Sequence, residues 1–306
     1  MELRGWNAAD FASEDIPEPP YLLDPILPSG GLAIVFGKGG HGKTQFAFTL
    51  ARSLCDGASF LGRYEATKTR VSYLGVDMPI RMLQKRVRGF LGEFECPESL
   101  QILPSDSRLN ILRLEESAVA PVLRHRPGLV IVDTLRKVHE LDEDKSSTVA
   151  TVFGAFRRLL GPDPAILFIH HDRKSRQDED LDDPDSLNAT VRGSVAWTTD
   201  SDLTVHCRKV RAMGGPVIEV TFPRFRYSED EPPIVCRMNR ESFLLDPIEP
   251  PGSKQEALEL AKQLWADHSD WDRSDVTQAL VGAGVERSYA RRCARMSQPK
   301  DTNSSK

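Results

Sequence analysis

Short apolar runs alternate with longer amphipathic stretches from about residue 31 to about residue 225. Leu32–Phe36, Val71–Val76, Leu129–Val132, Ala165–Ile169, Leu203–Val205 and Val217–Phe222 are short and β-prone, which predicts strands. Several of them are apolar at consecutive positions, the pattern of a strand buried on both faces. Between them, apolar residues recur at helical spacing. Phe46, Leu50 and Leu54 fall at i, i+4 and i+8 within 43–55, which Asp56-Gly57 closes; Ile80, Leu83, Val87 and Leu91 mark 80–91; Val149–Leu160 forms a third such stretch. This alternation predicts an α/β fold, a mainly parallel twisted sheet flanked by helices.

Two stretches interrupt the pattern. Residues 7–30 are rich in Pro, Asp, Glu and Ala, with Glu14-Asp15-Ile16-Pro17-Glu18-Pro19-Pro20 at their centre, and predict an extended N-terminal arm over 1–30. Pro247-Ile248-Glu249-Pro250-Pro251-Gly252-Ser253 reads as a linker over 247–253, leaving 31–246 as the α/β core. Beyond it, 254–297 is helical in character and 298–306 is a polar tail expected to be disordered. Ala257, Leu258, Ala261 and Leu264-Trp265 mark a first helix, and Asp272 or Ser274 caps a second running through Leu280-Val281. Gly282-Ala283-Gly284 separates it from a third, Val285 to Met296. Helix, glycine turn and basic helix together are similar to a helix-turn-helix. Arg287, Arg291 and Arg295 share one face of the third helix, with Arg292 beside them, placed to meet a nucleic-acid backbone. The alternative is a small protein-contact or capping bundle with a solvated arginine face.

Composition narrows the classes. The 306 residues carry 40 Lys+Arg against 45 Asp+Glu, a net charge of −5, so nucleic-acid binding has to come from a local patch. No apolar run approaches the roughly 18 residues of a membrane span, and Met1–Trp6 lacks a signal-peptide core. Cys55, Cys96, Cys207, Cys236 and Cys293 are scattered and odd in number, which argues against a disulfide framework or a zinc site. The expectation is a reduced, cytoplasmic protein.

One motif carries most of the chemistry. Gly37-Lys38-Gly39-Gly40-His41-Gly42-Lys43-Thr44 matches G-x-x-x-x-G-K-[ST], with a predicted strand running in and a predicted helix running out. By average residue frequencies, such a match arises by chance in about one chain of this length in a hundred. Glycines let backbone N–H groups converge on phosphate oxygens, and the helix N-terminus adds unpaired donors and partial positive charge. Gly37, Gly39, Gly40, His41, Gly42, Lys43 and Thr44 are therefore candidate ATP contacts. Lys43 would neutralise phosphate charge and Thr44 would ligate Mg²⁺. Asp133, closing the apolar run Leu129–Val132, is the candidate metal-orienting acid.

With that loop in place, three further segments resemble those of the RecA/DnaB-like ATPases, in the plasmid RepA-type branch. They are Tyr73-Leu74-Gly75-Val76-Asp77-Met78-Pro79, Ala165 to Lys174 with its His170-His171 pair, and Lys209-Val210-Arg211-Ala212-Met213-Gly214-Gly215-Pro216. Arg192-Gly193-Ser194 stands where RepA-like proteins carry an R-G-S turn. The resemblance covers about residues 20–225. It implies a RecA-like ring, usually a hexamer, with ATP and Mg²⁺ at subunit interfaces and DNA as partner. Asp77 would orient the attacking water, His170 or His171 would sense the γ-phosphate, and Lys209 and Arg211 would reach into a neighbour's site, where trans charge accelerates phosphoryl transfer about 10³–10⁵-fold. Asp77 stands where Glu is usual, one methylene or about 1.5 Å shorter. The acidic run from Asp178 to Asp185 opposes phosphates in a region that faces the channel in that family.

These features lead to a Mg-ATP-hydrolysing ring ATPase acting on DNA, a RepA/DnaB-like helicase or replication protein. Its rivals are an ATP-switched DNA-binding regulator that does not translocate and an ATP-dependent assembly factor without nucleic acid.

Overall fold

The computed structural model describes residues 5–17, 19–105, 109–173, 184–210, 216–226, 232–249 and 252–299. In chain order the elements begin with α1 (Ala8–Ser13), β1 (Tyr21–Asp24), β2 (Leu27–Pro28), β3 (Leu32–Phe36), α2 (Lys43–Asp56), β4 (Glu65–Ala66), β5 (Val71–Gly75), α3 (Ile80–Leu91) and β6 (Leu100–Pro104). Next come α4 (Glu116–His125), β7 (Leu129–Asp133), α5 (Ser146–Leu160), β8 (Ala165–Ile169), α6 (Pro184–Asn188) and α7 (Ala196–Thr199). The chain then adds β9 (Leu203–Val210), β10 (Val217–Phe225), β11 (Ile234–Met238) and β12 (Leu245–Pro247). It closes with α8 (Lys254–Asp267), α9 (Arg273–Gly282) and α10 (Arg287–Ser297).

Nine of these strands form one sheet in the order β12-β11-β10-β9-β3-β8-β7-β5-β6. From β9 to β6 every pairing is parallel, and β10 to β12 extend the sheet antiparallel. The central strands β3, β7 and β8 are buried on both faces, which is why they read as unbroken apolar runs. One face packs against α2 and α3, where Phe48 lies between the rings of Tyr73 (4.6 Å) and Phe90 (4.1 Å). The other packs against α4, α5 and α7, with Phe153 and Phe156 on Phe168 and Trp197 fully buried beside them. Helix α2 stops where expected, because Gly57 takes a left-handed conformation (φ +73°) that L-residues resist.

The N-terminal stretch departs from the extended arm the proline content suggested. Residues 21–28 form β1 and β2, which join β4 in a small three-stranded sheet. They drive Leu22, Leu23, Ile26 and Leu27 into the core, so apolar burial overrides composition here. The break near residue 247 also starts later than expected. Pro247 still belongs to β12, and the Ile248 N–H bonds the Val235 carbonyl at 2.8 Å.

Helices α8 to α10 pack directly on the sheet extension. Ala257, Ala261, Leu264, Leu280, Ala290 and Ala294 form a core with Val210, Val217 and Val235 of β9, β10 and β11. Of the two candidate caps for α9, Asp272 is the one used. Its side chain accepts from Asp275 N–H (2.8 Å), and Asp275 reciprocates on the Asp272 N–H (3.2 Å). All five cysteines are free. No described helix is long and apolar enough to cross a membrane.

Candidate nucleotide site

The parallel strands end in register. Phe36 pairs with His206, Val35 with Ile169, Ile169 with Asp133, and Asp133 with Gly75. The segments after β3, β5, β7 and β8 therefore leave the sheet at one carboxyl edge, where open α/β sheets bind ligands.

The loop 37–42 has the conformation its glycines permit. Gly37 (φ +150°), Gly40 (φ +76°) and Gly42 (φ +86°) all occupy the positive-φ region. A Cβ on Gly37 would collide with the Cys207 carbonyl oxygen, and one on Gly42 would meet Ile218 at 2.9 Å. Lys43 is buried, and its ammonium donates to the carbonyls of Gly37 (2.7 Å) and Lys38 (2.9 Å). Burial depresses its pKa, with Cys207, Asp172, Asp133 and Asp77 pulling the other way.

Thr44, at the first turn of α2, donates to Asp133 Oδ2 at 2.9 Å. The same oxygen accepts the Tyr73 hydroxyl at 2.5 Å. Burial raises the Asp133 carboxyl above the usual carboxylate range, while the Tyr73 and Thr44 bonds hold it down. Among the described residues no cluster of three or more His, Cys, Asp or Glu could enclose a metal. Mg²⁺ takes one or two protein oxygens and completes its shell with phosphates and water. The Thr44 and Asp133 oxygens, already within hydrogen-bond distance of each other, fit that role. Lys43 and the positive-φ loop fit a polyphosphate.

Asp77 is exposed just past β5, on the rim of a cleft that also contains Arg81 and Lys137. Its charge is felt by Lys43, Asp133 and His171. The two histidines after β8 part company. His170 is fully buried on the α5 face, edge-on to Trp197, with Nε2 2.9 Å from the Arg192 carbonyl oxygen. Burial drives its pKa down to about 3, so it stays neutral. His171 is half-buried on the opposite side; burial and then the Lys43 charge lower its pKa. Of the two, His171 feels the Lys43 charge, while His170 is enclosed against Trp197.

Arg192-Gly193-Ser194 forms a clamp. Arg192 pairs with the buried Glu143 at 3.3 Å, the Ser194 N–H bonds the Glu143 carbonyl at 2.7 Å, and Gly193 (φ +86°) lets the two backbones touch. Lys209 is exposed on β9, in a cleft with Lys38 and His41 of its own chain. Arg211, Lys174 and residues 178–183 of the acidic run lie outside the described residues.

The arginines of α10 divide as well. Arg291, Arg292 and Arg295 are exposed, as the helix pattern predicts. Arg287 is withdrawn from that face. Its guanidinium bonds Glu219 (2.6 and 3.2 Å), which is also held by Arg208 (2.6 and 2.8 Å). Burial alone would raise Glu219, but Arg208 and Arg287 together hold it below the usual glutamate value.

Sequence reasoning missed Tyr73 and Glu219. Tyr73 and Glu219 each sit among mostly apolar strand residues, and each carries a polar group, which was the available signal. It also missed a second polar group beside the loop: His206 Nε2 lies 3.4 Å from Asp172 Oδ2, and the Asp172 carboxylate acts on the pKa of His41.

A family model described as an AAA domain, AAA_25, matches residues 1–177. The chain belongs to that family. Its fold is that of the RecA-like P-loop ATPases. A KaiC-like protein from Pyrococcus horikoshii superposes with a TM-score of 0.51 at 10% identity, over 74% of this chain and 94% of that one. Flagellar accessory protein FlaH from Methanocaldococcus jannaschii aligns with a TM-score of 0.48 at 12% identity, over 72% and 91%.

Proposed function

We propose that this AAA_25 protein binds Mg-ATP at the loop 37–44, hydrolyses it, and works as a ring of like subunits on DNA, as a RepA/DnaB-like replication protein or helicase. The observation that carries the reading is the meeting of Thr44 and Asp133 at 2.9 Å beside the buried Lys43 ammonium. That is the minimum set for holding a metal-bound triphosphate. Asp77 orients the attacking water and His171 senses the γ-phosphate. Lys209 and Arg211 complete a neighbour's site across a hexameric interface. Residues 31–246 act as the motor and 254–297 as an appended helical unit.

A second reading is favoured by α10. Its exposed Arg291, Arg292 and Arg295 stand on a helix tied to the core through Arg287 and Glu219, which suits an ATP-switched DNA-binding regulator. The deciding experiment measures Mg-ATP turnover with and without single-stranded DNA, and strand displacement on a forked duplex. Lys43→Ala serves as the inactive control. DNA-stimulated turnover with displacement supports the motor. Nucleotide-dependent DNA binding without displacement supports the regulator, and turnover without any DNA binding leaves an assembly ATPase. Absence of turnover, or turnover unchanged in Lys43→Ala, overturns the site assignment.

A further inference from the structure

A cleft of about 800 Å³ lies between the P-loop and the C-terminal helices. Lys38 and His41 of the loop and Lys209 of β9 form one wall; Arg273 of α9 and Arg291 and Arg295 of α10 form the other. Of its fourteen lining residues eight are Lys or Arg and none is Asp or Glu. In a chain of net charge −5 this is a concentrated positive field, and low-dielectric walls focus such a field onto anions. Arg208 and Arg287, which also line it, both bond the buried carboxylate of Glu219. The same ion group fixes α10 against β9 and β10, so the two walls are held at a set separation.

Resting on the reading that this chain acts on DNA, we infer that the cleft is where a nucleic-acid backbone binds, and that its occupancy is coupled to nucleotide binding through the P-loop itself. The charge pattern suits phosphates in series. Arg291 and Arg295 are four residues apart, about 6 Å along the helix axis, close to two nucleotide steps of about 3.4 Å each. The coupling has a covalent basis. Lys38 presents its side chain to the cleft, while its carbonyl holds the Lys43 ammonium at 2.9 Å. His41 borders the cleft and also feels the Lys43 charge. When Lys43 turns from the Gly37 and Lys38 carbonyls to a triphosphate, the wall that meets the strand is altered. A strand on Lys38 biases Lys43 in return.

The test uses the purified full chain and short labelled oligonucleotides, single-stranded and duplex, followed by fluorescence anisotropy across a salt series. Doubly substituted Arg291→Glu/Arg295→Glu is expected to lose about tenfold or more in affinity. Its salt slope should fall by about 1.4 to 1.8, at 0.7 to 0.9 per lost phosphate contact. Both residues are exposed, and Arg291→Gln/Arg295→Gln repeats the test without introducing carboxylates. Lys262→Glu, on α8 outside the cleft, should bind as wild type. If the wild type binds and the double variants bind equally well, the cleft is not the site and the DNA reading stands alone. If the wild type binds no oligonucleotide even at low salt, the DNA reading falls and takes the cleft with it. Coupling is read separately with a fluorescent ATP analogue. Oligonucleotide and analogue should change each other's affinity by the same factor, and mutual indifference overturns the coupling.

Discussion

Tyr73 donates its phenolic hydrogen to Asp133 Oδ2 over 2.5 Å, from the adjacent strand. Asp133 must be ionised to serve a metal, yet burial raises its pKa, and the Tyr73 and Thr44 bonds, followed by the Lys43 charge, oppose that rise. The sign follows directly. As pH falls, the competent carboxylate is lost earlier than an ordinary one would be. Tyr73→Phe deletes one opposing bond, so the acid limb of the turnover profile moves to higher pH. On the alkaline side of that limb, turnover stays within about tenfold of wild type, a difference of about 1.4 kcal/mol in the barrier. A limb that stays in place, or moves down, shows that the phenol does not tune Asp133.

His170 and His171 are neighbours in sequence with opposite duties. His170 has a folded pKa of about 3 against an ordinary 6.5. Its lowered pKa favours the neutral form on folding, so its contribution is complete above about pH 6.5 and is lost as pH falls toward 3. Each unit in that window removes about 1.4 kcal/mol of stability. Urea unfolding of wild type should therefore show about 2 kcal/mol less stability at pH 5 than at pH 6.5 from this residue alone. His170→Gln should lose that part of the slope. Equal slopes would mean that the imidazole is not buried neutral. His171→Ala should leave unfolding unchanged and nucleotide binding intact while turnover falls about tenfold or more, as expected for a group that acts on developing charge.

These pairs mark how far the sequence was legible. The loop 37–44 is contiguous, and its chemistry is written in eight consecutive residues. The runs that became β3, β5, β7 and β8 are buried on both faces, so they were plain as strands. The same double burial erased the alternation that would have told His170 from His171. Glu219 was visible as an acid inside Val217-Ile218-Glu219-Val220, but its partner Arg287 lies 68 residues away, and no local pattern encodes that meeting. The Pro, Asp, Glu and Ala content of 7–30 pointed to an extended arm, whereas burial of Leu22, Leu23, Ile26 and Leu27 decided the structure of 21–28.

Glu219 holds the C-terminal helices to the sheet, and its loss should be felt more than the loss of either arginine. Its side chain is 2% exposed, between Arg208 at 16% and Arg287 at 13%. Glu219→Ala leaves two partly buried guanidiniums facing each other, an uncompensated charge of the kind that costs about 3–5 kcal/mol. Arg287→Ala should cost less, because Glu219 keeps Arg208. Denaturant unfolding of the two variants checks the order. Equal losses would show that the two arginines do not share one carboxylate as a unit.

Gly37 and Gly39 separate the loop's duty to the fold from its duty to a ligand. Gly37 has φ +150°, and a Cβ there runs into the Cys207 carbonyl of β9, the strand that pairs with β3. Gly37→Ala must therefore strain its own backbone and push β9 aside, placing it in the strained class that costs more than the roughly 0.5–3 kcal/mol of an ordinary substitution. Gly39 is different, because a Cβ there meets nothing within 4 Å. Gly39→Ala should unfold within about 1 kcal/mol of wild type. Its methyl group obstructs only what enters the loop, so Mg-ATP affinity should fall about tenfold or more, a loss of at least about 1.4 kcal/mol. Equilibrium unfolding and binding of a labelled nucleotide, run on both variants, test the pair. A Gly39→Ala protein that folds and binds Mg-ATP as wild type would mean that phosphates do not approach the chain at Gly39, and the loop would lose its assignment at that residue.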